Sequence, residues 1–150
     1  APLATRRRVG RRMVRGVHCV LFALWDEGER LDRGAMRAQA EWALGHGAEG
    51  IVVLGLATEV GKLSLREKID AIGWAAEDAG TVAANSVAEQ REILRAAEGA
   101  GAALAILQPP LAGTYGTAEY IDVFARVGEG ARVPLAVQNA PQYLGRSLSG

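Results

Sequence analysis

The sequence predicts an α/β fold in which apolar strands alternate with amphipathic helices. An apolar run over residues 50–55, rich in β-branched side chains and bounded by glycines, is typical of a strand buried in a parallel sheet. A capping box follows it, in which Ser64 and Glu67 satisfy free amides at the start of a helix. The same succession of strand and glycine-terminated helix occurs nearly five times along the chain. Such a repeat builds a parallel sheet that is either open or closed as a barrel.

Five apolar segments are predicted to be the strands, and they cover residues 17–24, 50–55, 81–84, 102–107 and 135–138. The fourth strand ends at Pro109 and Pro110, because proline cannot donate to a strand ladder. The second helix is predicted to end at Gly80, directly before the third strand at Thr81. A helix and the parallel strand after it need a turn of about two to six residues. We therefore expect either a true deletion or a break in the chain between Gly80 and Thr81.

The helices are predicted from their N-terminal caps and their apolar periodicity. Asp32, Ser64 and Ser86 stand at the predicted N-caps, where side-chain oxygens accept hydrogen bonds from free amides. Apolar residues three to four positions apart form one stripe on each helix, and we expect this stripe to face the sheet. The residues in these stripes are Met36, Ala40, Ala43 and Leu44; Leu65, Ile69, Ile72 and Ala76; Ile93, Leu94 and Ala97; and Tyr120, Val123, Phe124 and Val127.

The charge composition creates no net field that would favour a nucleic acid or an acidic partner. Lys and Arg number 17 and Asp and Glu number 17, so the formal net charge is zero. Arginines do crowd residues 6–15, and a basic arm can bind phosphates, but no aromatic residues are interleaved with them. We interpret residues 1–12 as a flexible, solvated arm. A nucleic-acid-binding arm is the weaker alternative.

Cysteine and histidine usage predicts a reducing compartment and no metal site. Cys19 is the single cysteine, so no disulfide framework can form. His18 lies in an apolar run with no second histidine or acidic cluster near it in sequence, which favours a structural histidine. We predict no metal and no cofactor. No apolar segment is long enough to span a membrane, and no signal-type run follows the arginines, so we expect a cytoplasmic protein.

Four stretches of the chain resemble the dihydrodipicolinate synthase/N-acetylneuraminate lyase family. They are the Gly-x-x-x-Glu loop of residues 55–59 with the Leu-Ser that follows at 63–64, residues 15–32, residues 107–110 and residues 134–141. The resemblance covers about residues 13–150 in register and implies a TIM (β/α)8 barrel. Such a barrel typically needs about 250 residues. We therefore predict that residues 13–150 are the first part of a single barrel domain, with about five βα units, and that the chain is incomplete.

The resemblance implies a reaction on a small 2-oxo acid. Members of the family condense or cleave 2-oxo acids through a Schiff base between a lysine and a pyruvate-type carbonyl, without a cofactor. The family places that lysine on the sixth strand, beyond Gly150. Lys62 lies in a loop with nothing apolar to hold it, and Lys68 is predicted to be solvated, so neither is the predicted nucleophile. The resemblance also implies a homo-oligomer, either a tetramer or a dimer.

Several site positions of the family are altered in this chain. The two small hydroxyl residues after the first glycine are Leu56 and Ala57 here, with Thr58 as a shifted source of one hydroxyl. The backbone amides of Ala57 and Thr58 are predicted to receive a carboxylate, because amide donors depend on loop geometry. The relay tyrosine of the family falls on Gln138, which can orient a substrate but cannot shuttle a proton. The arginine near the mouth of the family's site falls on Tyr143.

Two function hypotheses follow from these replacements. The first is a lyase or aldolase acting on a 2-oxo acid, with a specificity different from that of lysine biosynthesis. The tyrosine pair that the family carries after its fourth strand is Pro110 and Leu111 here, which supports altered specificity. The alternative is a barrel that has lost its chemistry and serves as a binding or assembly subunit. A buried lysine after Gly150 would separate the two hypotheses.

Overall fold

The computed structural model describes residues 15–75, 79–82, 84–110, 112–144 and 148. Strands and helices alternate throughout these residues. The strands are β1 (His18–Val20), β2 (Gly50–Val53), β3 (Ala79–Val82), β4 (Leu104–Leu107) and β5 (Leu135–Val137). The helices are α1 (Arg33–Gly45), α2 (Leu65–Ala75), α3 (Val87–Ala100), α4 (Thr117–Gly128) and α5 (Pro141–Leu144). Two short 3₁₀ turns, Leu56–Thr58 and Val60–Lys62, connect β2 to α2.

The five strands form one parallel sheet in the order β1-β2-β3-β4-β5. Each strand is therefore the neighbour of the strand that follows it in sequence, with a helix in between. An open doubly wound sheet changes direction at a switch point, so its strand order is not consecutive. Consecutive order throughout is the arrangement of a βα barrel, as predicted. β1 and β5 are the two edges of the sheet.

The hydrophobic core lies between the sheet and the helices. Each of the first four helices contributes fully buried side chains, and these include Met36, Ile72, Ile93 and Val127. All four residues of β2 are buried, as predicted for a strand with covered faces. The stripe prediction was wrong for Leu44, whose side chain is 41% exposed near the end of α1.

The predicted caps at Asp32, Ser64 and Ser86 are present. Asp32 Oδ1 accepts a hydrogen bond from the Ala35 amide at 2.9 Å, and Ser86 Oγ accepts one from the Glu89 amide at 3.1 Å. The Ser64 amide donates to Glu67 Oε2 at 2.8 Å, while the Glu67 amide donates to Ser64 Oγ at 3.3 Å. This reciprocal pair is the predicted capping box, and it sets where α2 begins after the long loop that follows β2.

The third βα unit differs from its prediction. Helix α2 ends at Ala75 and not at Gly80, and β3 begins at Ala79. The strand continues through Gly80 and Thr81, which lie opposite Ala105 and Ile106 of β4 in unbroken register. The expected break between Gly80 and Thr81 was therefore wrong, whereas the alternative, a true deletion relative to the resembled family, stays a prediction. Pairing with β4 decides the limits of this strand, whereas the alanine-rich sequence had favoured a longer helix.

Several predictions concern residues outside the described ranges. The basic arm of residues 1–12, Ala76 of the second apolar stripe and Leu111 are among them, and those predictions stay untested. None of the described helices combines the length and the apolar character that a membrane span requires.

Candidate functional site

The predicted site residues follow the carboxyl ends of β2 and β5. In a parallel sheet these ends share one edge, and in βα barrels that edge carries the chemistry. The loop after β2 brings Leu56, Ala57 and Thr58 to this edge, and Gln138 directly follows β5. The structure places the two groups at the same edge of the sheet, with β3 and β4 between them.

A tightly bent backbone carries the loop after β2. Leu54 is fully buried and has φ of 61°, in the left-handed region that is unfavourable for a leucine. Gly55 then lies against β1, where a Cβ atom would come within 2.8 Å of Val20 Cγ1. These two residues turn the chain into the 3₁₀ turn, so that Leu56 is partly exposed and Ala57 half-buried at the carboxyl edge. The position of the loop is therefore set by close packing against β1.

Thr58 has a structural role that the sequence did not reveal. Its side chain is fully buried, and Thr58 Oγ1 donates to the Leu21 carbonyl at 2.6 Å. Its amide donates to the Gly55 carbonyl at 3.1 Å within the 3₁₀ turn. Both groups therefore already have a partner inside the protein, and the predicted role of Thr58 toward a substrate stays a prediction. Thr58 links the loop after β2 to the end of β1.

The side chains of Gln108 and Gln138 join the ends of β4 and β5. The side chain of Gln108 donates from Nε2 to Gln138 Oε1 at 2.7 Å. The backbone amide of Gln138 donates to the Leu107 carbonyl at 2.9 Å. Gln108 is buried, whereas Gln138 is half-buried. Of these two glutamines, only Gln138 was predicted as a site residue. A polar residue directly after a buried strand was the signal that pointed to Gln108.

A second buried glutamine anchors the same region from α3. Gln90 Nε2 donates to the Ala84 carbonyl at 2.8 Å and to the Gln108 carbonyl at 3.5 Å. On the surface of this edge, Asn85 Oδ1 accepts from the Ala112 amide at 3.0 Å. Hydrogen bonds from side chains thus connect the loops after β3, β4 and β5 to one another.

A cavity of about 310 Å³ opens beside this edge, between the loop after β2 and the loop after β3. Lys68, Glu89 and Gln108 are among the residues that line it. Burial lowers the pKa of Lys68, and the nearby Glu89 carboxylate opposes that shift. Lys68 is therefore half-buried and not fully solvated as predicted, and it lies beside Glu89 of the first turn of α3. Lys62 is exposed and pairs with Glu59 at 2.6 Å, in agreement with its prediction.

Two tyrosines, Tyr143 and Tyr115, follow β5 and β4 in sequence. Tyr143 lies in α5, but its side chain is outside the described part of the chain, so its predicted role is untested. Tyr115, which follows β4, packs against Tyr120 with ring centroids 5.3 Å apart. Among the described residues, no group of three or more His, Cys, Asp or Glu side chains is arranged to hold a metal ion.

The consecutive parallel strands and the helices between them define a class of protein, the βα barrels. Residues 13–149 match the model of the dihydrodipicolinate synthetase family. The match spans most of the chain, and the chain belongs to this family. The predicted fold is confirmed as part of a TIM barrel.

The relatives of this chain are about twice its length. The 4-hydroxy-tetrahydrodipicolinate synthase of Methanococcoides burtonii is 28% identical over 142 residues, covering 91% of this chain and 49% of the relative. The chloride-inhibited dihydrodipicolinate synthase of Acinetobacter baumannii, solved with pyruvate, has a TM-score of 0.83 and 23% identity, covering 91% of this chain and 50% of that chain. A second similar structure is that of a prophage protein of the dihydrodipicolinic acid synthase family from Escherichia coli K12, also in complex with pyruvate. Its TM-score is 0.84 and its identity 20%, and the match covers 89% of this chain and 47% of that chain. The chain thus spans about half the length of the proteins it matches.

Proposed function

We propose that this chain is part of a lyase or aldolase that acts on a pyruvate-type 2-oxo acid through a lysine Schiff base. The observation that carries the proposal is the family match over residues 13–149. Two of the similar structures contain pyruvate, which supports a 2-oxo acid as the substrate. In the proposed reaction, the lysine amine attacks the carbonyl carbon, and loss of water gives an imine. The proposal assigns that lysine to the part of the protein that follows Gly150.

The described residues would bind and orient the substrate and would not transfer its protons. Leu56 and Ala57 line the carboxyl edge after β2, and the Ala57 amide is the proposed donor to the substrate carboxylate. Gln138 is proposed to hydrogen-bond a substrate oxygen, because a carboxamide can donate there but cannot act as an acid or base at neutral pH. Tyr143 is proposed to lie near the mouth of the site. With Gln138 in the position of the family's tyrosine, we propose a substrate specificity different from that of the synthases in lysine biosynthesis.

The same replacements support a second candidate, a barrel without chemistry that binds a ligand or assembles with other subunits. Leu56 and Ala57 replace hydroxyl residues that join a proton relay or hold the substrate in the resembled family, and Gln138 replaces its relay tyrosine; none of the three can transfer a proton. For either candidate we propose a homo-oligomer, a tetramer or a dimer. Light scattering on the full-length protein measures this directly.

Reductive trapping separates the two candidates. The full-length protein is incubated with pyruvate and with a panel of larger 2-oxo acids in the presence of borohydride, which reduces an imine to a stable secondary amine. Peptide mass mapping then locates the modified lysine. We expect one modified lysine, situated after Gly150. A protein that no 2-oxo acid modifies would contradict the lyase proposal and favour the binding or assembly subunit.

Lys68 requires its own control, because burial lowers its pKa and so increases the fraction of reactive amine. Lys68→Arg removes the amine and retains the positive charge beside Glu89. We expect this variant to be trapped as fully as the wild type. Loss of trapping in Lys68→Arg, together with an adduct mapped to Lys68 in the wild type, would assign the nucleophile to this chain instead.

A further inference from the structure

The polar pair at the ends of β4 and β5 has a defined direction. Gln108 Nε2 donates to Gln138 Oε1 at 2.7 Å, from a side chain that is only 1% exposed. We infer that Gln108 is a positioning residue, which holds the Gln138 carboxamide so that its NH₂ group, and not its oxygen, is presented to a ligand at the carboxyl edge. The ligand class attached to this inference, a 2-oxo acid, rests on the proposed function. The direction of the hydrogen bond does not.

The direction of this hydrogen bond is explained by which buried atom of Gln108 is left without a partner, the nitrogen or the oxygen. With Gln138 Oε1 turned toward Gln108, the Gln138 Nε2 on the other branch of the planar amide turns away from it. The opposite orientation would take the buried Nε2 of Gln108 away from its acceptor. Buried N–H groups without an acceptor are rarer in proteins than buried carbonyl oxygens with unused capacity. In the observed orientation, the buried Gln108 atom without a partner is the oxygen, Oε1. The observed direction is thus the less costly one.

The backbone on both sides of the pair is anchored independently of any ligand. Gln90, which is fully buried, donates to the carbonyls of Ala84 and Gln108. Backbone carbonyls can only accept, so the orientation of the Gln90 amide is unambiguous. The backbone amide of Gln138 in turn donates to the Leu107 carbonyl at 2.9 Å. The two glutamines therefore start from fixed positions, and a pre-formed pair of this kind loses little entropy when a ligand binds.

A fixed NH₂ group selects for acceptor ligands. Carbonyl and carboxylate oxygens accept from a carboxamide donor, whereas an ammonium group meets like polarity there. If Gln108 did not hold Gln138 Oε1, the side-chain carboxamide of Gln138 could rotate and present either its oxygen or its NH₂ group to the ligand. The inference therefore predicts that Gln108 increases the affinity for a 2-oxo acid without touching it.

The first experiment tests the hydrogen bond without reference to any reaction. Side-chain amide signals of Gln108 are recorded by NMR in the full-length protein and in the variants Gln138→Glu and Gln138→Met. We expect a hydrogen-bonded Gln108 proton signal in the wild type and in Gln138→Glu, since a carboxylate also accepts. The signal should move upfield in Gln138→Met, which offers no comparable acceptor. A Gln108 signal that Gln138→Met leaves in place would overturn the inference.

The second experiment tests the consequence for the ligand. The pyruvate concentration that gives half-maximal borohydride trapping is measured for Gln108→Met, for Gln138→Glu and for Gln90→Met. Gln90→Met is the comparison for the loss of a buried glutamine, because Gln90 is as buried as Gln108 but donates to the backbone carbonyls of Ala84 and Gln108, and it should raise this concentration less than Gln108→Met does. We expect Gln108→Met to raise this concentration about tenfold, as the loss of one oriented hydrogen bond would. Gln138→Glu should raise it further, because it presents a negative acceptor to an anion.

The outcomes separate the inference from the proposed function. The maximal trapped fraction should stay unchanged in Gln108→Met, since imine formation depends on the lysine. Equal shifts in Gln108→Met and Gln90→Met would reduce Gln108 to a structural residue and overturn the positioning role. A wild-type protein that is never trapped would overturn the proposed function and the 2-oxo acid as ligand. The NMR signals would still decide the direction of the hydrogen bond.

Discussion

Thr58→Val tests whether the loop after β2 is held by the hydrogen bond to β1. Valine has nearly the shape of threonine, so the change removes the hydroxyl and creates little cavity. Thr58 is fully buried, and its bond to the Leu21 carbonyl measures 2.6 Å. A buried hydrogen bond contributes about 1 kcal/mol net, and an acceptor left unpaired in the interior costs about 1–3 kcal/mol. We expect the free energy of unfolding to fall by about 2 kcal/mol.

Thermal unfolding of the full-length protein measures this loss. For a domain of 150–250 residues, 1 kcal/mol shifts the Tm by about 2–4 °C, so Thr58→Val should lower it by about 4–8 °C. Thr58→Ser is the matched control, because it retains the hydroxyl, and it should restore more than half of the loss. The pyruvate concentration for half-maximal trapping should rise in Thr58→Val, since the variant loosens the loop that carries Ala57. A Tm equal to that of the wild type would refute the linking role of Thr58.

Two further predictions concern ionisable groups. The Arg132 backbone amide donates to the Glu98 carboxylate and holds its pKa below the ordinary value of 4.5. The ionised carboxylate therefore stabilises the folded protein above pH 4.5, and this stabilisation is lost as the pH falls through the lower folded-state pKa. Glu98→Gln should therefore destabilise by about 1 kcal/mol at neutral pH, with the difference disappearing in acid, as urea unfolding across pH would show. Because the Glu89 carboxylate opposes the burial that lowers the pKa of Lys68, Glu89→Gln should lower this pKa further. NMR titration of Lys68 measures it, and an unchanged or raised pKa would exclude the coupling.

The fold could be predicted because its local signals agree with its tertiary structure. The caps at Asp32, Ser64 and Ser86 and the buried stripe of α3 are where sequence spacing puts them. The prediction failed at β3, a strand with alanine and glycine at its first two positions. Its limits come from pairing with β4, which lies more than twenty residues further along the chain. A local pattern carries no information about such a partner.

The site was less predictable, because its properties depend on where side chains point. Thr58 and Ala57 are adjacent in the loop, yet only Thr58 turns its side chain fully into the protein. The half-burial of Lys68 depends on how α3 packs beside α2, and the partner of Gln138 is thirty positions away in sequence. The sequence could therefore name the carboxyl edge and Gln138, but not the hydrogen bonds that orient them.

Several apolar side chains of β1 and of residues 21–24 directly after it are exposed, because this chain contains only part of a barrel. Leu21 and Ala23 are buried under the helices, whereas the alternating Val20 and Phe22 are 36% and 60% exposed. Successive strand residues point to opposite faces, so the exposed set belongs to the inner face of the sheet. In a TIM barrel this face is filled by side chains from strands all around the barrel. Because the chain spans about half the length of its relatives, Val20 and Phe22 lie on the part of the inner face that the remaining strands of a complete barrel would cover. Stability and ligand binding are therefore expected to require a complete barrel, in which the remaining strands would cover this face.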